Sequence, residues 1–219
     1  FKKKYKNITT IHIQNPKIDF KKFDFIIAPE HYGINGHNVI NSIGALHKFN
    51  NDTIKTNLKD KFDIPKKNLI SVIVGGNNHH YNFTSKEINK LIEKIKKIKH
   101  FNPKYNFLIL NSRRTNKETK KIILNNLNDV ATVWNNNEKN PYTFALKYSI
   151  FFIVSSDSTS MISECAFTGN PIYIFHLPFK RYSRRIENFH KQFEKMKITK
   201  KLEDEKKLIS WKYDSLNES

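Results

Sequence analysis

Hydroxyl side chains are concentrated at residues 155–160, between a strand-like apolar run and a helix-like pattern. If a helix begins near Ser158 or Thr159, its first backbone N–H groups and the positive end of its dipole are free to bind an anion. Ser158, Thr159 and Ser160 would surround that anion with further donors, whereas capping the helix requires only one of them. The segment therefore predicts a binding site for a diphosphate.

A carboxylate follows on the same predicted helix. Glu164 lies four residues beyond Ser160, on the same helical face and one turn deeper. At that depth it can accept two hydrogen bonds from a vicinal diol, whereas a carboxylate directly beside the phosphates would be repelled. Ile162, Cys165 and Ala166 are expected to face the core. We predict that the hydroxyls hold a diphosphate and that Glu164 holds a ribose.

Two of the five arginines of the chain stand in the segment NSRRT, residues 111–115, after another strand pattern. Guanidinium groups bind phosphate oxygens in pairs of hydrogen bonds. Ser112, Arg113, Arg114 and Thr115 are therefore predicted to form a phosphate clamp, and the alternative is a solvated, charged turn. The concentration of arginine at this position favours the clamp.

A glycine pair ends an earlier strand pattern, in the segment GGNNHHYNFT. Gly75 and Gly76 would let the backbone approach a ligand closely, and His80 could donate to a phosphate or sugar oxygen. An ordinary tight turn is the alternative. His79 and His80 are adjacent and have no second pair at helical spacing, so we predict no metal site and no other cofactor.

Common catalytic signatures are absent from the sequence. It contains neither G-x-G-x-x-G nor a Walker motif, which removes the usual support for dinucleotide oxidoreductases and P-loop NTPases. It also lacks G-x-S-x-G, and Cys165 is predicted to be buried, so covalent hydrolysis has little support.

Composition bounds the partners of the chain. Its 219 residues carry a formal net charge of +19, but lysine, asparagine and isoleucine are abundant throughout, the composition that an AT-rich genome gives to any protein, so most of the charge is expected to lie on an ordinary solvated surface. We predict no nucleic-acid partner and a weak attraction to anionic membranes. The longest apolar run, Ile150 to Val154, is far shorter than the roughly 20 residues of a membrane helix. The single cysteine excludes an internal disulfide, and we predict a cytoplasmic chain, peripheral at the inner membrane.

From Leu69 onward, strand and helix patterns alternate, which predicts a doubly wound parallel sheet of the α/β class. Strands are predicted at 68–76, 105–112, 130–134, 149–156 and 171–177, and helices at 84–99, 117–127, 142–147 and 159–168. Before them, strands are predicted at 9–13 and 23–29, a mildly helical stretch at 33–50 and a polar connector at 51–68. A lysine-rich helical tail follows residue 184.

Four ordered blocks of this sequence resemble a known family: DFIIAPEHYGINGHNVINSIGALHKF, VIVGGNNHHYNFT, NSRRT and DSTSMISECAFTGNPIYIF. The family is named after the plant "elongated mitochondria" fission factor, and its bacterial members are described as glycosyltransferases. The resemblance covers about residues 20 to 180. Ser163, Glu164, Gly169, Pro171 and Phe175 also resemble the donor-binding helix of GT-B glycosyltransferases, whose corresponding glutamate holds the donor ribose.

The resemblance implies a GT-B-like fold made of Rossmann-like domains. It implies the closing part of an acceptor-side domain at 1–60, a complete nucleotide-sugar-binding domain at 61–183, and a helical tail packing back at 184–219. In such enzymes the first domain supplies an acid or base, which suggests Glu30 and His31. Glu30 could equally be a cap or loop carboxylate, and Asn38 could position a substrate or cap the following helix.

The loop after the last predicted strand contributes His176, Lys180 and Arg181. The resemblance implies that this loop lies over the donor, although it could also meet anionic lipid headgroups or simply face solvent. We predict metal-independent transfer of a sugar from a nucleotide-sugar to a cell-envelope glycan or glycolipid. The alternative is a non-catalytic adaptor that recruits a partner to a membrane surface. An epimerase acting on nucleotide-sugars would share the donor site.

Overall fold

The computed structural model describes residues 7–56, 62–134, 139–204 and 206–216. Two parallel sheets run through them, one of three strands and one of six. The predicted boundary between residues 60 and 61, and the last three residues of the predicted tail, lie outside the described residues.

The described residues form nine strands and six α-helices. The strands are β1 (Ile11–Ile13), β2 (Phe25–Pro29), β3 (Val39–Ser42), β4 (Leu69–Val74), β5 (Asn106–Asn111), β6 (Thr132–Val133), β7 (Ser149–Ser155), β8 (Ile172–Phe175) and β9 (Thr199–Lys201). The helices are α1 (Asn51–Thr56), α2 (Ser85–Phe101), α3 (Lys117–Leu127), α4 (Tyr142–Tyr148), α5 (Thr159–Ala166) and α6 (Arg184–Lys195). Short 3-10 turns span Phe20–Lys22 and Glu30–Tyr32.

The larger sheet has the order β6-β5-β4-β7-β8-β9, and every neighbouring pair is parallel. All six residues of the central strand β4 are buried. Its side chains alternate between two hydrophobic clusters, one on each face of the sheet. The prediction of a doubly wound α/β sheet is confirmed.

Helix α2 shows how the sequence covers the first face. Thr84 caps the helix by accepting a hydrogen bond from the backbone N–H of Glu87. Apolar side chains then recur at helical spacing, and Ile88, Leu91 and Ile95 are buried against the sheet. The cap and the periodicity together fix the start of α2 and the face that it buries.

The second face is covered by α4, α5 and α6. Phe144 of α4, Ile162 of α5 and Phe189 of α6 all belong to the cluster that includes Ile73 of β4. Because β4, β7 and β8 are parallel, their carboxyl ends and the loops that follow them meet at one edge of the sheet. This packing brings the start of α5 to that edge.

The smaller sheet has the order β1-β2-β3 and is also parallel. Strand β3 corrects the expectation of a mildly helical stretch at 33–50. Only two residues of β3, Val39 and Ile40, are apolar. The sequence therefore shows neither the alternation of a strand nor the 3.6-residue period of a helix, and pairing with β2 determines the strand instead. Asn38 does not cap a helix: its Nδ2 donates to the carbonyl oxygens of Phe20 and Phe23, at 2.9 Å each.

Two further elements depart from the sequence predictions. Helix α1 replaces the start of the expected connector, and Asn50 and Thr53 cap it by exchanging hydrogen bonds. Beyond α6, β9 adds a sixth strand beside β8, where only a helical tail was expected. This three-residue edge strand has the sequence TKK, which lacks the alternating apolar pattern from which a strand is predicted.

Helices α5 and α6 also contact the smaller sheet. Ser163 of α5 accepts a hydrogen bond from the backbone N–H of Ala45 at 2.9 Å. Gly44 has a φ of +74°, and a Cβ there would lie 2.7 Å from Ser163 Oγ and 2.9 Å from Phe193. The chain after β3 therefore packs tightly against α5 and α6. No helix in the described part of the chain is long and apolar enough to cross a membrane.

Candidate functional site

A cleft of about 390 Å³ opens at the carboxyl ends of β4, β5 and β7. Six of the residues predicted from the sequence line it: Ser112, Arg113, Arg114, Ser158, Ser160 and Glu164. The remaining lining residues are Ile73, Leu110, Asn111, Trp134, Asn140, Tyr142 and Met161. The cleft therefore unites the two segments singled out for a phosphate and the carboxylate singled out for a ribose.

Helix α5 begins as the hydroxyl run predicts. Ser158 is its cap and accepts from the backbone N–H of Met161 at 3.4 Å. Ser160 is exposed and lines the cleft, whereas Thr159 is half-buried at the first helical position and does not line it. Ile162, Cys165 and Ala166 are buried in the core, as expected. The positive end of the helix thus faces the cleft with one capping hydroxyl and one exposed hydroxyl.

Glu164 is half-buried in the wall of the same cleft. Its Oε2 accepts a hydrogen bond from the hydroxyl of Tyr142 at 2.5 Å. Burial raises the pKa of the Glu164 carboxyl, while the hydrogen bond from Tyr142 and the ammonium group of Lys48 oppose that rise. The carboxylate is therefore held at one oxygen, and its other oxygen can accept a donor from a ligand.

The two adjacent arginines have different surroundings. Arg114 makes an ion pair with Asp157 at 2.8 Å, and the Asp157 side chain is fully buried. Asp157 also accepts hydrogen bonds from Ser155 Oγ at 2.6 Å and from the Gly76 N–H at 3.1 Å. Arg113 is exposed and has no ion pair to any described residue. Arg113 is therefore available to an anion, whereas Arg114 already compensates a buried charge.

The glycine pair packs against protein atoms. A Cβ on Gly75 would lie 2.1 Å from Asp157 Oδ1, and one on Gly76 would lie 2.1 Å from the carbonyl oxygen of Arg114. Thr115 is buried, and its hydroxyl donates to the Gly75 carbonyl oxygen at 2.5 Å. Neither these glycines nor Thr115 line the cleft. Gly75, Gly76 and Thr115 instead join the end of β4 to residues 112–115, which we call the arginine loop.

The histidines predicted for the donor lie outside the lining of the cleft. His80 Nδ1 is 3.0 Å from the carbonyl oxygen of Arg181, in the loop after β8. His176 is exposed, and its ring centroid is 5.1 Å from that of His190 on α6. No group of three or more His, Cys, Asp or Glu side chains within the described ranges could hold a metal ion.

Glu30 and His31 lie after β2, against α6. Glu30 accepts a hydrogen bond from Gln192, and the His31 ring packs edge-on against Phe189 at 5.0 Å. Burial, with a contribution from Arg185, lowers the pKa of His31 to about 4, so the imidazole is neutral at pH 7. Neither residue lines the cleft, and their assignment as acid or base stays a prediction.

Two histidines, the buried His31 and the half-buried His190, make the stability of the fold sensitive to acid. Burial lowers the pKa of both His31 and His190 to about 4, from an ordinary value of 6.5. The unfolded chain therefore binds protons between pH 6.5 and pH 4 that the folded chain does not, and stability falls as the pH falls through that window. Each imidazole is expected to cost up to about 3 kcal/mol of unfolding free energy.

Urea unfolding of the wild type, His31→Gln and His190→Gln at pH 7 and pH 4.5 measures this effect. Each variant is expected to lose less stability on acidification than the wild type. His37→Gln, which changes an exposed histidine, serves as the control. Equal losses in all four proteins would contradict the assignment.

Sequence reasoning missed several residues that build the cleft. Asp157 stands within the hydroxyl run, but only the fold shows that its charge is buried against Arg114. Tyr142 is 22 positions from Glu164 along the chain, and nothing in the sequence of its own helix indicates a contact with that carboxylate. Asn111 ends β5 and Trp134 directly follows the neighbouring strand β6, so the rule that ligands bind at carboxyl ends of parallel strands could have found them.

Curated proteins similar to this chain include an uncharacterized protein, RP120, of Rickettsia prowazekii. It is 27% identical over 257 residues, covering 100% of this chain and 72% of that protein. The mitochondrial fission protein ELM1 of Arabidopsis thaliana is 24% identical over 242 residues. That match covers 97% of this chain but only 56% of the plant protein, so the chain spans little more than half of its length.

Solved structures with a similar fold include a UDP-GlcNAc 2-epimerase and a glycotransferase. A UDP-GlcNAc 2-epimerase from Neisseria meningitidis, bound to UDP-GlcNAc, has a TM-score of 0.54 and 15% identity, covering 91% of this chain and 66% of that one. A glycotransferase of kitacinnamycin has a TM-score of 0.50 and 12% identity, covering 85% of this chain and 45% of that one. The fold is thus α/β and GT-B-like, with Rossmann-like sheets.

The sequence profile described as "Mitochondrial fission ELM1" matches residues 1–219. This match covers the complete sequence, including both sheets and every residue of the cleft. The chain therefore belongs to the mitochondrial fission ELM1 family.

Proposed function

We propose that the cleft binds the ribose and diphosphate of a nucleotide-sugar, and that the protein transfers the sugar to a cell-envelope glycan or glycolipid. One observation carries the proposal: the start of α5, the exposed Arg113 and the Glu164 carboxylate line the same cleft, and Arg113 has no ion pair to a described residue. Ser160 and Glu164 are four residues apart on the helix, about 6 Å along its axis. This spacing suits a phosphate at the helix end and a ribose one turn deeper.

The proposed chemistry uses charge that develops on the leaving group. As the sugar departs, negative charge accumulates on the diphosphate, where Arg113 and the N–H groups of α5 would stabilise it. A base must remove the proton of the acceptor hydroxyl, and Glu30 and His31 are our candidates. This scheme needs no metal ion. The known complex of the similarly folded epimerase with UDP-GlcNAc supports a nucleotide-sugar as ligand.

Calorimetric titration of the purified protein with UDP, ADP, GDP, CDP and CMP tests the proposal. Selective binding of one nucleoside diphosphate over the others is expected. CDP should bind more tightly than the monophosphate CMP, because its second phosphate reaches the start of α5. A folded protein that binds none of the five would contradict the proposal.

The two arginines are expected to respond differently to substitution. Arg113→Ala should weaken nucleoside diphosphate binding about tenfold and reduce its salt dependence, because one exposed cation is lost. Arg114→Ala should lower the free energy of unfolding by about 2 kcal/mol, since it leaves Asp157 buried without its ion pair. Calorimetric titration at two salt concentrations and urea unfolding of both variants separate these effects. Identical behaviour of the two variants would contradict the division of roles.

The family supports a second candidate, a non-catalytic adaptor at a membrane surface. The loop after β8 and the start of α6 expose Phe179, Tyr182 and four basic residues, Lys180, Arg181, Arg184 and Arg185. Such a surface suits anionic headgroups. Sedimentation with vesicles containing phosphatidylserine, compared with neutral vesicles, tests this candidate. Vesicle binding without any nucleotide binding would favour the adaptor over the transferase.

A further inference from the structure

The hydroxyl of Tyr142 makes a short hydrogen bond to the carboxylate of Glu164. The donor–acceptor distance is 2.5 Å, at the short end for an O–H donor facing a charged oxygen. Tyr142 and Glu164 both line the cleft, from helices α4 and α5. The Tyr142 ring is 5.8 Å from that of Phe49, so the hydroxyl is fixed by packing as well as by hydrogen bonding.

Glu164 needs such a partner because its surroundings oppose its charge. Burial raises the pKa of its carboxyl, and among the described residues two groups act in the opposite direction: the Tyr142 hydroxyl and the Lys48 ammonium. The other titratable group beside it, the Cys165 thiol, is fully buried, and its own pKa lies well above the usual range. Lys48 is exposed, so solvent screens its effect.

The ionised state of Glu164 determines which ligand it can hold. An ionised carboxylate only accepts hydrogen bonds, and a ribose offers it two hydroxyl donors. A protonated carboxyl has lost one acceptor position and carries a donor of its own. Tyr142 occupies Oε2 and leaves Oε1 to the ligand.

We propose that Tyr142 is a positioning residue that keeps Glu164 ionised and oriented, and thereby makes the cleft selective for ribose over deoxyribose. This inference rests on the proposed nucleotide site. It extends that site by naming the group that enforces a preference for ribose over deoxyribose.

Tyr142→Phe tests the proposal, since it removes the hydroxyl and keeps the ring against Phe49. The wild type is expected to bind the preferred ribonucleoside diphosphate about tenfold more tightly than its 2′-deoxy counterpart. In Tyr142→Phe that preference should largely disappear through weaker binding of the ribonucleotide alone. Tyr148→Phe is the matched control, because it makes the same change at the other end of α4, where the side chain does not line the cleft. An equal loss of affinity for both sugars in Tyr142→Phe would overturn the proposal.

A second measurement does not depend on nucleotide binding. In protein carrying 13C-labelled glutamate, the Glu164 carboxyl signal is assigned with Glu164→Gln and followed against pH by NMR. Tyr142→Phe is expected to raise the protonation midpoint of Glu164 relative to the wild type and to Tyr148→Phe. An unchanged midpoint would overturn the role of Tyr142. If the wild type binds no nucleotide, the proposed function fails, and this titration still decides whether Tyr142 controls the charge of Glu164.

Discussion

Glu164→Ala is expected to weaken binding of the preferred nucleoside diphosphate about 100-fold, while the protein remains folded. The loss corresponds to about 3 kcal/mol, the contribution of two hydrogen bonds from a ribose to a charged acceptor. The side chain is half-buried in the cleft wall and its pKa is raised by burial, so its removal also relieves a desolvated charge. The unfolding free energy should therefore change little. Calorimetric titration and urea unfolding of the same preparation measure the two quantities.

Two further variants make the Glu164 experiment specific. Glu164→Gln keeps the shape of the side chain but has one acceptor oxygen in place of two, so an intermediate loss of affinity is expected. Glu93→Ala removes an exposed glutamate on the distant helix α2 and should leave binding unchanged. Unaltered affinity in a folded Glu164→Ala protein would show that the carboxylate does not hold the ribose.

The site could be predicted from the sequence where its residues are close along the chain. Ser160 and Glu164 share the short helix α5, so helical spacing alone placed them on a common face, directly after the capping residue Ser158. The alternation of strands and helices then placed that helix beside the arginine loop, because parallel strands end at one edge of the sheet. These local and topological rules were sufficient for the doubly wound sheet and for placing α5 beside the loop that carries Arg113 and Arg114.

The parts that could not be predicted depend on contacts between distant segments. Tyr142 approaches Glu164 from another helix, and Arg114 reaches Asp157 across 43 positions. Strands β3 and β9 form because they pair with β2 and β8, although their own sequences lack an alternating apolar pattern. In each case the partner supplies the stabilising interaction, and a single sequence does not reveal which partner it is.

The glycine pair at the end of β4 shows the same limit. Two adjacent glycines indicate either a close approach of the backbone to a ligand or an ordinary tight turn, and the sequence left both open. The structure instead brings Gly75 against Asp157 and Gly76 against the backbone of Arg114. The glycines thus act on the site through the fold, since they allow β4, the arginine loop and the start of α5 to pack together.

Gly76→Ala is accordingly expected to destabilise the protein by about 3 kcal/mol or more, the range of severe core overpacking. The new Cβ would lie 2.1 Å from the Arg114 carbonyl oxygen, 2.4 Å from its carbon and 2.8 Å from the Thr115 nitrogen. All three are backbone atoms, so no side chain can rotate away. Urea unfolding measures the loss, with Gly36→Ala as control, because a Cβ there first meets the Val39 side chain at 3.1 Å. Equal stability of the two variants would mean that the arginine loop does not press on the end of β4. A large loss confined to Gly76→Ala would make the glycine a requirement for the shape of the cleft and not for ligand contact.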